Sequence, residues 1–255
     1  MENNLLKTQN EIIIGRNPIK EALVANRSID SILISKGAHK SSLGSIIKMA
    51  KELKIPIKEV DNKKLDFLCE NANHQGIIAM VAAHKYASID EIFDVASQKK
   101  EPPFIIVADE ISDSHNLGAI IRTAECAGAH GIIIPNRRAV GLNFGVAKAA
   151  AGALEHIKVA RVTNISATLK DLKSRGVWIF GADMDGQTYC QTDLNGPVAL
   201  VVGSEGFGLS RLVKENCDVI ISLPLCGKIN SLNASVAAGI LMYEIARQRL
   251  NLSAK

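Results

Sequence analysis

Aromatic residues are scarce in this 255-residue chain, 4% in all, and before His84 the only one is Phe67. That excludes a base-stacking platform in the first third, since such platforms need several exposed aromatics. Cysteines are few as well. The five of them (Cys69, Cys126, Cys190, Cys217 and Cys226) are scattered and include no C-x-x-C pair. Neither a zinc site nor a disulfide frame is expected, and most should be buried small hydrophobes in a reducing compartment. No apolar run approaches the roughly 18 residues needed to cross a bilayer; the stretch from Ala234 to Tyr243 stops short. Ile12, Ile13 and Ile14 stand alone, so no signal-peptide core is visible and a cytoplasmic protein is expected. An apolar fraction of 47% excludes whole-chain disorder.

Net charge is only +4, but it is unevenly spread. Between Arg16 and Lys64 eleven basic residues face five acids, a net +6, and the remainder of the chain is net −2. Such a patch attracts phosphate without making the whole chain basic, although a solvated lysine-rich helix face would look the same.

Two blocks are legible. In residues 10–84, apolar runs at 31–35, 55–60 and 76–82 alternate with helix signals after Asn17-Pro18, Ser41-Ser42 and Asp61-Asn62. That alternation predicts an α/β domain. Residues 85–103 are polar, hold one candidate short helix (88–96) and end in a double proline, so they read as a linker. From residue 104 to 255, continuous apolar strands at 104–108, 131–134, 156–160, 177–181, 199–202 and 219–223 predict a parallel sheet covered on both faces. Helices are expected at 116–128, 146–153 and 231–250 between or after them. Ligands of such sheets bind beyond the carboxyl ends of the strands, which singles out the loops after Ala108, Val202 and Leu223.

Those loops lack the familiar nucleotide signatures. Gly203-Ser204-Glu205-Gly206-Phe207-Gly208 does not have dinucleotide spacing, and Ser222 stands where a P-loop preceding Gly227-Lys228 needs glycine. No nucleophile elbow or metalloprotease helix motif is present. What the loops do carry is polar and specific. The first runs from Asp109 to Arg122, with Asn116 a candidate helix cap and Arg122 two turns in. The second, Val201 to Ser210, sets Glu205 among three glycines that free the backbone for close approach. The third, Leu223 to Gly239, leads through Ser231, Asn233 and Ser235 into an apolar helix, more polar groups than one cap uses.

In order and spacing, these three segments resemble the motifs of the SpoU-type RNA ribose 2′-O-methyltransferases, within the SPOUT superfamily of knotted S-adenosylmethionine enzymes. The resemblance covers Phe104 to Arg249. Ile14 to Leu23 (IGRNPIKEAL) and His74 to Ile77 (HQGI) are similar to the flanking signatures of the branch that acts on large-subunit rRNA guanosine. There a small α/β RNA-binding domain, similar to a ribosomal-protein fold, precedes the catalytic domain. One departure is visible: Ser114 stands where the family usually has proline.

The resemblance implies a trefoil knot, which periodicity alone does not reveal and base rates oppose. It implies S-adenosylmethionine as cofactor, no metal, a homodimer, and 2′-O-methylation of a ribose in 23S rRNA. A tRNA substrate and a non-catalytic RNA-binding assembly factor are the alternatives. A dehydrogenase fails for want of its glycine fingerprint. Arg122, Asn116, Glu205, Ser231 and Asn233 take the catalytic positions. Gly203, Leu223, Leu232, Gly208 and Ser235 take the cofactor positions, where backbone rather than side chain makes the contact. A guanidinium is a poor base at neutral pH, so Arg122 is read first as a fork for phosphate and second as a proton acceptor. His115 lies inside the first motif and is a weaker candidate base. RNA contacts are expected from Arg16, Lys20, Lys36 and His74, although the last reads more readily as a structural histidine shaping a turn.

Overall fold

The computed structural model describes residues 12–24, 26–38, 40–69, 72–82, 84–204, 206–229 and 231–252, without the side chains of 40–42. The chain divides into two compact units. One runs up to Lys85 and includes Gly141–Phe144; the other comprises Tyr86–Val140 and Gly145–Lys255. No described helix is long and apolar enough to cross a membrane.

In the first unit the elements are β1 (Ile12–Ile14), α1 (Arg16–Val24), β2 (Ile29–Ser35), α2 (Lys40–Glu52), β3 (Ile57–Val60), α3 (Asn62–Leu68) and β4 (Ile77–Val81). The sheet order is β1-β4-β2-β3, with β2 parallel to β3 and antiparallel to β4. The isoleucines at 12–14 are an edge strand pairing with β4 rather than an isolated run. Alternate residues of β2 face opposite sides: Ile32 and Ile34 join Ile19, Leu23, Leu43 and Ile46 in one core, and Leu33 joins Leu65 and Ile78 in a smaller one.

The second unit contains α4 (Ile89–Lys99), β5 (Phe104–Ala108), α5 (Ser114–Cys126), β6 (Gly131–Pro135), α6 (Phe144–Ala150), β7 (Lys158–Val162), α7 (Ile165–Ser174), β8 (Trp178–Thr188), β9 (Val198–Val202), α8 (Arg211–Glu215), β10 (Val219–Ser222) and α9 (Ala234–Arg249). Its six strands are all parallel, in the order β10-β8-β9-β5-β6-β7. The α/β architecture with a parallel sheet follows from the uninterrupted apolar strands β5, β6 and β9, every residue of which is buried.

Several expectations change. The short helix expected within residues 85–103 is present as α4, fixed by a capping box between Ser88 and Glu91, but it packs into the second unit's core, where Ile92 is fully buried. Its apolar face was masked by charged neighbours. Gly131 leaves that isoleucine room: a Cβ there would lie 2.5 Å from Ile92. Helix α7, which the sequence left unmarked, is capped by Asn164 and buries Ile165, Leu169 and Leu172. β8 extends to Thr188 because Gly186 admits the backbone of Ile220 within 2.5 Å of where a Cβ would stand. The cysteines are mostly not buried: Cys126, Cys190 and Cys226 are exposed and only Cys69 is fully buried. Burial pushes the Cys217 thiol up to about 12.

Candidate active site

Because the strands are parallel, the segments after β5, β9 and β10 leave the same edge of the sheet. Side chains then tie them together. After β5, Asp109 is 4% exposed and accepts hydrogen bonds from Ser210 Oγ (3.2 Å) and Ser210 N (3.4 Å), which links the first loop to the second. Burial pushes its carboxyl above the usual aspartate range, against the pull of the Ser210 bonds. Asp109 is not among the residues the motifs single out; its signal in the sequence is an acid placed directly at the end of a fully apolar strand.

The start of α5 also differs from expectation. Asp113, not Asn116, is the cap, and its side chain accepts from Asn116 N at 2.9 Å. Ser114 is the first helical residue, the position where proline is also favoured, so the family's proline is replaced without disturbing the helix start. Asn116 is thereby released from capping. Its Oδ1 accepts from Asn233 Nδ2 at 3.0 Å, which joins the first segment to the third. Asn233 caps α9: its Oδ1 accepts from Ser235 N (3.0 Å), Ser235 Oγ (2.6 Å) and Val236 N (3.3 Å). One asparagine therefore uses its acceptor on the helix and its amide donor on Asn116.

The second loop is closed on itself. Ser204 and Gly208 exchange backbone hydrogen bonds of 3.1 and 3.0 Å. A Cβ on Gly203 would lie 2.2 Å from the carbonyl of Gly208, so only glycine permits this fold-back. Gly208 itself is left-handed (φ +64°).

Asn116, Asn233 and Ser235 are thus brought together, as are Gly203 and Gly208. Arg122 is exposed on α5 and its side chain has no hydrogen-bond or ion-pair partner among the described residues; His115 is exposed too. Ser231 and Leu232 are exposed on the approach to α9, and Leu223 is half-buried just past β10. Glu205 lies outside the described residues. Around the loops stand exposed apolar side chains, Phe207 at 93% and Ile229 at 75%. Among the described residues no group of three or more His, Cys, Asp or Glu could hold a metal ion.

In the first unit, Arg16 and Lys36 line one cavity and Lys20 lines another depression on α1. His74 is placed differently from a surface contact. It is buried, its Nδ1 accepts from Gly76 N (2.9 Å), and its Nε2 meets Asp66 Oδ1 at 2.9 Å.

Residues 103–243 match the SpoU rRNA Methylase family, and residues 12–87 match the RNA 2′-O ribose methyltransferase substrate-binding family. This chain belongs to the SpoU methylase family. Its relatives are RNA methyltransferases by name. It is 48% identical over 245 residues to YacO of Bacillus subtilis (strain 168), named for the TrmH family of tRNA/rRNA methyltransferases, with 96% of this chain and 98% of that one covered. A relative in Staphylococcus aureus (strain MW2) with the same family name is 43% identical over 242 residues, covering 94% and 97%. Among solved structures, the SpoU methyltransferase AviRb from Streptomyces viridochromogenes in complex with AdoMet is similar, with a TM-score of 0.60, 23% identity and 94% and 90% coverage. The AdoMet-bound rRNA methyltransferase from Sinorhizobium meliloti gives 0.59, 24%, and 95% and 88%. These two likenesses bear on the fold alone.

Proposed function

We propose that this SpoU methylase transfers a methyl group from S-adenosylmethionine to a ribose 2′-hydroxyl of RNA, with guanosine in large-subunit rRNA the favoured target. The observation that carries this reading is the Asn233–Asn116 hydrogen bond of 3.0 Å, which fastens the third motif to the first, on the helix that also carries the exposed Arg122. The closed loop Gly203–Gly208 and the half-buried end of β10 fit the proposed cofactor. They offer backbone at Gly203 and Leu223, with Gly208 closing the loop through its bonds to Ser204, and the loops carry exposed apolar groups such as Phe207 and Leu232. When bound, S-adenosylmethionine supplies a methyl already activated on a sulfonium.

The chain's task is then alignment. Arg122 stays protonated at neutral pH, and its planar fork grips the phosphate flanking the target ribose. Asn116, held by Asn233, orients the sugar. Ser231 and Asn233 flank the acceptor and Ser235 supports the cap; to Glu205, which lies outside the described residues, the reading gives the orienting of Arg122 or Asn116 by a charge-assisted bond. Positioning of this kind is worth up to roughly 7–11 kcal/mol in well-oriented models. The trefoil passage and a cytoplasmic location belong to the same reading, as does a homodimer. Val236, Ile240 and Tyr243 support the dimer: they stand exposed at helical spacing along α9, a stripe that a second copy would cover.

Ribose methylation mapped across rRNA and tRNA, with and without the protein, tests the proposal. A new 2′-O-methyl in 23S rRNA is expected. One in tRNA alone moves the substrate to the alternative, and none in either, with cofactor bound, favours the non-catalytic assembly factor.

A further inference from the structure

We propose that the cavity lined by Arg16, Lys36 and Asp61 in the first unit is a pocket for one unpaired ribonucleotide whose base edge presents N–H donors, guanine fitting best. The proposal deepens the reading of the chain as an RNA-acting enzyme. The cavity holds about 410 Å³, within the ~300–1,000 Å³ of small-ligand pockets, which suits a single nucleotide and not a duplex. It opens where β2 and β3 end.

Its walls divide by charge. On one side Arg16 is half-buried; its Nε is fully buried with no hydrogen-bond partner among the described residues, and its Nη2 reaches Gln75 O only at 3.4 Å. A guanidinium so placed offers donors to a phosphate and a plane on which a base can stack, which matters in a pocket with no aromatic lining. On the other side stand Asp61 and Asn62. Asp61 is paired through Oδ1 with Lys36 (3.0 Å), and its Oδ2 accepts no hydrogen bond among the described residues. A wall that bound phosphates alone would not carry a carboxylate. A carboxylate accepts, and a base edge with adjacent N–H groups supplies what it lacks.

The floor between these walls is built to hold its shape. Gln75 (φ +51°) and Gly76 (φ +78°) are both left-handed. Gln75 Oε1 accepts from Arg16 N (3.1 Å), and His74 braces Gly76 from beneath. A Cβ at Gly76 would come within 3.1 Å of Ala38, so the turn and the β2 end pack backbone to side chain. The buried His74 thus serves RNA binding by fixing the floor instead of touching the ligand.

Two RNA heptamers test this on the full chain: seven uridines, and the same strand with one central guanosine. Wild type is expected to prefer the guanosine strand by about fivefold or more, the low end of what one bidentate base contact discriminates. Asp61→Asn should cut that preference below twofold, with uridine-strand binding tightened because Lys36 is released from its ion pair, and with the melting temperature unchanged because Asp61 caps no backbone N–H of α3. Arg16→Ala, or Arg16→Lys if the alanine variant is unstable, should weaken both strands alike. Equal affinity of wild type for both strands, no binding of either, or a preference that survives Asp61→Asn would overturn the proposal. Methyl transfer to rRNA by wild type is measured in parallel. Its loss with the guanosine preference intact sinks the methyltransferase reading alone, and the reverse sinks the pocket alone.

Discussion

Arg122 and Asn233 separate two jobs that active-site residues often share, namely building the site and acting in it. The Arg122 side chain makes no hydrogen bond or ion pair among the described residues, so its removal should not unfold the protein. Arg122→Lys keeps the charge but loses the planar fork. It should lower kcat about 100-fold, the scale of a misplaced reactant, with cofactor affinity in calorimetry held within about threefold. Full turnover by the lysine variant would rule out bidentate gripping. Asn233 does both jobs, and its two side-chain atoms can be told apart. Asn233→Ala loses the cap and the Asn116 contact together, so melting should fall by a few degrees, the effect of ~1 kcal/mol lost at a cap. Asn233→Asp retains the capping oxygen and removes the donor to Asn116. Its melting temperature should match wild type while single-turnover methyl transfer drops at least tenfold. Equal activity would show that the Asn116 link is architecture only. These roles were legible only in part. Three polar residues before an apolar helix signal more than a cap, but which atom of Asn233 meets which partner depends on Asp113, inside the first loop segment, taking the cap of α5.

Among the elements, continuous apolar runs made β5, β6 and β9 readable, because strands buried on both faces need no alternation. Elements stabilised by contacts remote in sequence were not readable. β1 exists because β4 accepts it as an edge partner, and β8 continues to Thr188 because Gly186 lets the backbone of β10 in. Close helix packing depends on a similar gap. At Gly118 on α5 a Cβ would lie 2.4 Å from the Ala149 side chain and 2.8 Å from the Val146 carbonyl of α6. Gly118→Ala should therefore cost ~1–3 kcal/mol in urea unfolding despite alanine's better helix propensity, since overpacking outweighs roughly 1 kcal/mol of propensity. A stabilised variant would mean that α6 yields freely. The entry to β5 carries a titratable latch. His130 is buried, its Nδ1 accepts from Phe104 N (2.9 Å), and its Nε2 donates to Glu101 (3.0 Å). Burial holds its pKa below the usual 6.5 despite Glu101. The folded state therefore binds fewer protons than the unfolded one just below pH 6.5, and stability contributed by the neutral ring is lost as pH falls from there through the folded pKa. His130→Asn keeps an acceptor but not the titration. The difference in unfolding free energy between wild type and His130→Asn should shrink as pH drops from 7.5 to 5.5, and a constant difference would remove His130 from the pH response.

At the scale of the whole molecule, charge and aromatic content say how RNA is met. The basic excess lies in residues 16–64, within the substrate-binding region, while the remainder of the chain is slightly acidic. Phe67 is exposed, but a single ring is no stacking surface. Affinity must then come chiefly from lysine and arginine neutralising phosphates, with released counterions supplying the free energy. What sequence could not show was how that charge is divided. Lys36 spends part of its charge on Asp61, whereas Lys20 is exposed on α1 without an ion-pair partner among the described residues. The two should therefore contribute unequally to the salt dependence. Binding to a single-stranded rRNA fragment should weaken linearly in log–log form as salt rises from 50 to 200 mM, with a slope of about −0.7 for each phosphate engaged. Lys20→Ala should flatten that slope by nearly one such increment, and Lys36→Ala by less, because the lysine and its acidic partner leave little net field together. Fluorescence anisotropy across a salt series measures both. A wild-type affinity indifferent to salt would move the source of binding from phosphate attraction to base contacts.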